Sequence, residues 1–283
     1  MPTIILNSKN IVNAPINNKL VYTFQNGGVK FENNDIALAQ ISLYYSWFNL
    51  NQPLYNNTSC SYIWIDGTIV NITIPNGYYT ASSLNAYFES VMVNNKHYLI
   101  NTVNGDFVFY IQLQENATFY AIQLNCFAVP TTLGTLAFPV GATWILPTPN
   151  PRTPQFVVNT TSNFGTLIGF NSGSYPPTPQ TTTYSILSQI TPEIQPISSL
   201  NLICSMINNP FSVNRTLYSC GIPSVQFGQQ ISITPPNFLY NKISDGMYQQ
   251  FTIDILDQNN NPIQILDNQI VIVLNIRERG INQ

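Results

Sequence analysis

The chain reads as an all-β protein of the sandwich or jelly-roll type, with one amphipathic helix and long Pro-rich insertions. Three observations predict this. Short apolar segments alternate with period two and are punctuated by Gly, Asn, Asp and Pro clusters. A single segment carries a helical apolar stripe. Many of the 20 prolines gather in two stretches, the first of which leaves little room for central strands.

The strongest strand signal lies in residues 251–277 (FTIDILDQNNNPIQILDNQIVIVLNIR). It predicts strand, turn, short strand, turn, strand. Phe251, Ile253 and Ile255 alternate with Thr252 and Asp254, as in a half-buried strand. Residues 257–262 collect turn formers. Residues 270–274 are continuously apolar, which predicts a strand buried on both faces, with Ile272 and Leu274 in the core.

Upstream, Thr3–Leu6 has strand character inside an Asn-rich stretch that Pro15 interrupts, so residues 1–18 read as an extended arm. Strands are expected over 20–24 and 36–48. Residues 62–74 form a hairpin, with Asp66-Gly67 as the dipeptide that a two-residue type I′ turn prefers. Leu84, Tyr87, Phe88, Val91 and Met92 then share one helical face, which places Leu84 and Phe88 in the core. Thr80 or Ser82 can cap the start of this helix, and Asn94-Asn95 suits its end. A meander follows, with strands over 98–103, 106–114 and 118–125. The first Pro-rich stretch, 129–154, reads as an ordered loop anchored by Phe138, Trp144, Ile145 and Leu146. The second covers 171–183. Strands resume over 200–206, 215–221 and 231–234.

Composition excludes several classes of function. A chain of 283 residues buries roughly three quarters of its unfolded surface, enough for one domain with insertions or for two β units. Charged residues are 7% of the chain, against ~25% in ordinary proteins. Low charge with 12% aromatic residues fits a surface buried against other subunits, since interface cores lose charge and gain aromatics. An AT-rich coding sequence produces the same bias. No cluster of Lys and Arg marks nucleic acid as the main ligand. Cys60, Cys126, Cys204 and Cys220 have no metal-site spacing and read as buried free thiols. The first residues lack the pattern of a signal peptide, and no apolar run reaches the ~20 residues of a membrane helix. The expectation is a soluble protein made in a reducing compartment.

Catalytic chemistry is sparse. His97 is the only histidine and reads as structural. Asp257-x-Asn259-x-Asn261 faintly resembles the start of a calcium loop. Pro262 stands where glycine is required and Asn268 where an acid is required, so a plain turn is favoured. Asp254, Asp257 and Asp267 can still gather at one sheet end, which leaves weak divalent-ion binding open, and Glu193 lies in a Pro-bounded loop. The glycines of 164–170 (FGTLIGF) read as packing or turn glycines. The N-x-[ST] matches at Asn56, Asn57, Asn71, Asn116, Asn159 and Asn214 read as chance in so Asn-rich a chain. The expectation is no catalytic, cofactor or metal site and no enzymatic activity.

Several blocks in order resemble a known family. They are 74–85 (IPNGYYTASSLN), 144–158 (WILPTPNPRTPQFVV), 164–170, 172–176 (SGSYP), 197–212 (ISSLNLICSMINNPFS) and 257–277. Together they span about three quarters of the chain. They resemble the penton, or minor capsid, proteins of virophages, polinton-like viruses and related double-jelly-roll-lineage DNA viruses. The resemblance implies an upright single jelly-roll sandwich with insertions, assembling as a homopentamer at icosahedral vertices. It implies the major capsid protein of the same virion as partner. It also implies a location in the capsid, after synthesis in the host cytoplasm or virus factory. No Arg-Gly-Asp triplet is present, so integrin attachment is not carried over. On this reading residues 1–18 are the arm, 19–97 the first part of the roll, 98–183 a candidate insertion, and 184–283 the second part. The meander can equally supply roll strands. In the arm, Ile4, Ile5 and Leu6 are expected to anchor on a neighbouring subunit. The rival readings are another minor capsid protein and a lectin-like ligand-binding sandwich.

Overall fold

A computed structural model gives the fold over residues 2–210 and 213–279. Phe211 and Ser212, which end the 197–212 block, lie outside the described residues. The protein is mostly β, with several antiparallel sheets and few helices. It divides into two compact units, residues 1–47 with 197–283, and residues 48–196.

The first unit is built on eight strands. They are β1 (Thr3–Leu6), β2 (Lys19–Thr23), β3 (Asn34–Tyr44), β4 (Ser199–Cys204), β5 (Thr216–Gly221), β6 (Gln230–Ile233), β7 (Gln250–Leu256) and β8 (Val271–Glu278). One sheet has the order β1-β8-β3-β6, with the short strand Asn241–Lys242 also paired to β3. The other has the order β2-β7-β4-β5. Pairing is nested: β4 with β5, β3 with β6, β2 with β7, and β1 with β8. Each sheet buries one face. Ile4, Leu6, Ile272, Leu274 and Ile276 do so in the first sheet, and Leu200, Leu202, Cys204, Phe251, Ile253 and Ile255 in the second.

This arrangement corrects three expectations. The 270–274 run is not buried on both faces. β8 is paired on both edges, to β1 and β3, but Ile272 and Leu274 are fully buried while Val271 is 40% exposed. An antiparallel sheet commonly leaves one face to solvent, and Val271 and Val273 lie on that face. The segment expected to hold a short strand between β7 and β8 forms none. Only an isolated bridge, Leu256 to Pro262, joins it to a strand, although Ile263 and Ile265 are buried. The N-terminal residues are no free arm: β1 is an edge strand of the sheet. Ile4 and Leu6 are anchored in the protein's own core, facing Leu274 and Ile272 across the ladder, and only Ile5 is exposed. Burying such side chains contributes about 1.5–3 kcal/mol each, which explains why a segment with so little pattern is ordered.

The second unit holds a four-stranded sheet in the order Gly173–Tyr175, Gln155–Val158, Ser59–Ile63, Ile69–Thr73. It also holds a three-stranded sheet of Tyr184–Leu187, Ala121–Cys126 and Ile111–Asn116, and a small one of Leu136–Ala137, Leu99–Asn101 and Phe107–Val108. The helix runs over Ala81–Asn94. Thr80 and Ser83 cap it reciprocally: the Thr80 side chain accepts from Ser83 N–H, and Thr80 N–H donates to Ser83 Oγ. The helix buries Ala81, Leu84, Phe88 and Met92. Phe88 packs edge-on against Phe156 and Phe164.

The unit boundary differs from the one expected at 97/98. The 59–73 hairpin and the helix bury their apolar faces with the meander and the Pro-rich stretches, in one core that includes Tyr62, Leu84, Leu113 and Phe156. In the hairpin, Asp66-Gly67 sits in a five-residue loop, not a two-residue turn. Trp64 N–H donates to Thr68 O, and Asp66 Oδ1 accepts from Thr68 N–H. Within the Pro-rich stretch, Trp144 is buried but Ile145 is 77% exposed. Gly165 supports the packing reading, since a Cβ there would collide with the Phe170 carbonyl. Gly169 ends the short helix Phe164–Ile168 in the left-handed region.

Candidate functional site

The β1–β8 ladder brings the residues expected in assembly and those expected in the core together. Ile4 faces Leu274, Leu6 faces Ile272, and Ile5 faces Val273 on the opposite, outward side. Val271 lies one step along the same side. From β3, Gln40 faces Val273 and Ser42 faces Val271, and Ser42 in turn faces Ser232 of β6. The outer surface is therefore apolar towards the β1 edge and carries amide and hydroxyl groups towards β6. Gln230 Nε2 donates to Ser42 Oγ at 2.7 Å, which organises the polar side.

A charged cluster stands at the end of β8, and the sequence reading missed it. Asp35 in β3 is only 2% exposed. Arg277 lies directly across the ladder. Its Nε and Nη2 both donate to Asp35 Oδ2 at 3.3 Å, and Arg279 Nη2 donates to Oδ1 at 2.8 Å. Both arginines remain about half exposed, and the Arg277 guanidinium lies 3.8 Å above the Tyr240 ring centre. A lone acid inside an apolar strand, with two arginines two residues apart at the end of another, was the available signal. Nothing in the sequence set the register that joins them.

His97 occupies a structural position in the second unit. It is buried, stacks on Trp64 at 4.7 Å between ring centres, and places Nδ1 2.8 Å from Tyr62 Oη. Trp144 packs edge-on to Trp64 and donates its Nε1–H to the Lys96 carbonyl. Burial holds the imidazole pKa below its ordinary 6.5, and the nearby Asp66 charge opposes that shift. The unfolded chain therefore takes up a proton near pH 6.5, while the folded unit does so only at lower pH. Above pH 6.5 both states are neutral and His97 adds no pH dependence. Below it, stability falls until the folded imidazole also charges, at no more than ~1.4 kcal/mol per pH unit. Thermal midpoints measured between pH 7.5 and 5 are expected to decline in the wild type and more gently in His97→Asn. Equal slopes would refute this role for His97.

The remaining candidates are also committed to structure. Burial pushes the Cys126 and Cys204 thiols up to about 12 and raises Cys60 and Cys220 as well, which makes them poor nucleophiles. Cys220 is only half-buried, unlike the other three. Asp254 pairs with Lys19 at 3.5 Å. Asp257 Oδ1 accepts from the backbone N–H of Asn259 and Asn261, and Asp267 Oδ1 from that of Gln269, as turn-forming carboxylates do.

Three grooves open in the second unit. One of 430 Å³ runs past Asn49, Tyr55, Asn163 and Glu193. One of 570 Å³ follows residues 147–152 with Asp66 and Pro179. The third, of 300 Å³, lies where the start of the helix, the 111–126 hairpin and residues 192–195 converge, and includes Tyr78, Glu115 and Tyr120.

No protein-family model matches the chain, and no curated protein matches it. Among solved structures it is similar to the mavirus penton protein, with a TM-score of 0.42 and 11% identity over 98% of each chain. It is also similar to a chain in the structure of the Sputnik virophage, with a TM-score of 0.39 and 12% identity over 99% of each chain.

Proposed function

We propose that this chain is a structural capsid protein of the penton type, forming homopentamers at the vertices of an icosahedral particle, with no enzymatic activity. The observation that carries the reading is the nested strand order of the first unit. The sheets β1-β8-β3-β6 and β2-β7-β4-β5 are what results when one long antiparallel hairpin is folded over on itself, the wrapping of an eight-stranded jelly roll. Residues 48–196 then form an insertion between its third and fourth strands. Fold alone does not assign function. The virophage-like sequence blocks supply the assignment, and several of them coincide with constrained positions, among them the cap at Thr80, buried Trp144 and the collision-limited Gly165.

The titratable groups support a structural role, since buried Asp35 is spent on two arginines, Asp257 on a turn and His97 on the core. The outward row of Ile5, Val271 and Val273 supplies apolar surface for a neighbour, either another copy or the major capsid protein. A five-fold ring requires heterologous contacts, so any patch used between copies must meet a different patch on the adjacent copy. Native mass spectrometry of the purified or virion-extracted protein is expected to give five copies. Persistent trimers, or monomers at all concentrations under assembly conditions, would contradict the vertex assignment.

A further inference from the structure

We propose that the 300 Å³ groove of the second unit binds a single pyranose ring, held between Tyr78 and Tyr120 with Glu115 and Gln195 on its hydroxyls. Three separate segments meet there: Tyr78 and Thr80 before the helix, Glu115 and Tyr120 from one hairpin, and Gln195 from the Pro-bounded loop. The volume lies at the lower end for small-molecule sites, the scale of one sugar ring and not of a peptide.

The side chains decide the ligand class. Tyr120 is 77% exposed, and the turn after Asn116 holds it at φ +48°, a conformation uncommon for an aromatic residue. Leaving so large an apolar ring in water is a cost that a stacked partner removes. Glu115 belongs to none of the described ion pairs, whose acids are Glu32, Asp35, Asp245 and Asp254, all in the other unit. An anionic ligand would meet that carboxylate. A cationic one would meet the positive end of the Ala81–Asn94 helix, whose first residue lines the same groove. A neutral ring with one apolar face and a rim of hydroxyls satisfies both. Its hydroxyls donate to Glu115 and Gln195 Oε1, and they accept from Gln195 Nε2 and from donors at the helix start.

This inference is independent of the capsid reading. The test is saturation-transfer NMR on the full chain with a panel of the common neutral methyl pyranosides, and with tetramethylammonium as a cationic probe. At least one pyranoside is expected to receive saturation on its ring protons. Tyr120→Ala and Glu115→Gln should each weaken that binding about tenfold, the loss of one stacking or charge-assisted contact. Both side chains are exposed, so the thermal midpoint should hold. No transfer to any pyranoside would overturn the proposal, as would transfer undiminished in both variants. Transfer to tetramethylammonium in place of the sugars would overturn it in favour of a cation site.

Discussion

Ile272→Asp is expected to leave the first unit unfolded, while Val271→Asp, one residue away, is expected to fold. Ile272 is fully buried between Leu6 of β1 and Ile41 of β3, in the middle of the sheet. An unpaired carboxylate there costs several kcal/mol, a large share of the 5–15 kcal/mol that holds a domain together. Val271 faces outward and is 40% exposed, so its carboxylate stays hydrated. Ile272→Val serves as a control, folded and weaker by about 1 kcal/mol. Solubility and urea midpoints distinguish the outcomes. Soluble Ile272→Asp with an unchanged midpoint would remove β8 from the core. Equal collapse of Val271→Asp would mean that both faces of the strand are covered within the single chain.

Loss of both arginines at the end of β8 is expected to destabilise the first unit more than loss of the acid they share. Arg277→Ala with Arg279→Ala strands the Asp35 carboxylate at 2% exposure. Breaking a buried pair in this way costs about 3 kcal/mol, the lower part of the usual range because the half-exposed arginines admit water nearby. Asp35→Asn leaves two arginines that already reach solvent, and should cost about 1 kcal/mol, the scale of an ordinary hydrogen-bond loss. Adding Asp35→Asn to the double variant should therefore restore stability, a coupling that separates charge pairing from the lost stacking of Arg277 on Tyr240. Urea midpoints at constant m-value measure it. If the double arginine variant is no weaker than Asp35→Asn, the cluster does not act as a charge clamp.

These two sites differ in how far the sequence revealed them. Ile272 and Leu274 were legible as core because a short apolar run announces a strand wherever it sits. Whether one face or both were covered was not legible, since Val271 and Val273 are apolar yet outward. Asp35 was invisible as a site because its partners lie 242 and 244 residues away. The 300 Å³ groove was hidden for the same reason, being assembled from segments around residues 78, 115 and 195.

The sequence by itself determined the local elements. Period-two alternation set β7, the i, i+4 spacing of Leu84 and Phe88 set the helix, and Thr80 set its start. Each depends on neighbours within a few residues, and backbone geometry fixes those. Ordered blocks of such elements also carry the resemblance to virophage pentons. Tertiary structure alone decided that the hairpin and helix belong to the 48–196 unit, and that Gln155–Val158 and Tyr184–Leu187 are strands beside the Pro-rich stretches. It also decided that Ile4 and Leu6 bury in their own chain. Those outcomes rest on which strand edge is open to pair and which apolar face is left to cover. Such choices are settled by burial across the whole fold, and no window of the sequence contains both partners.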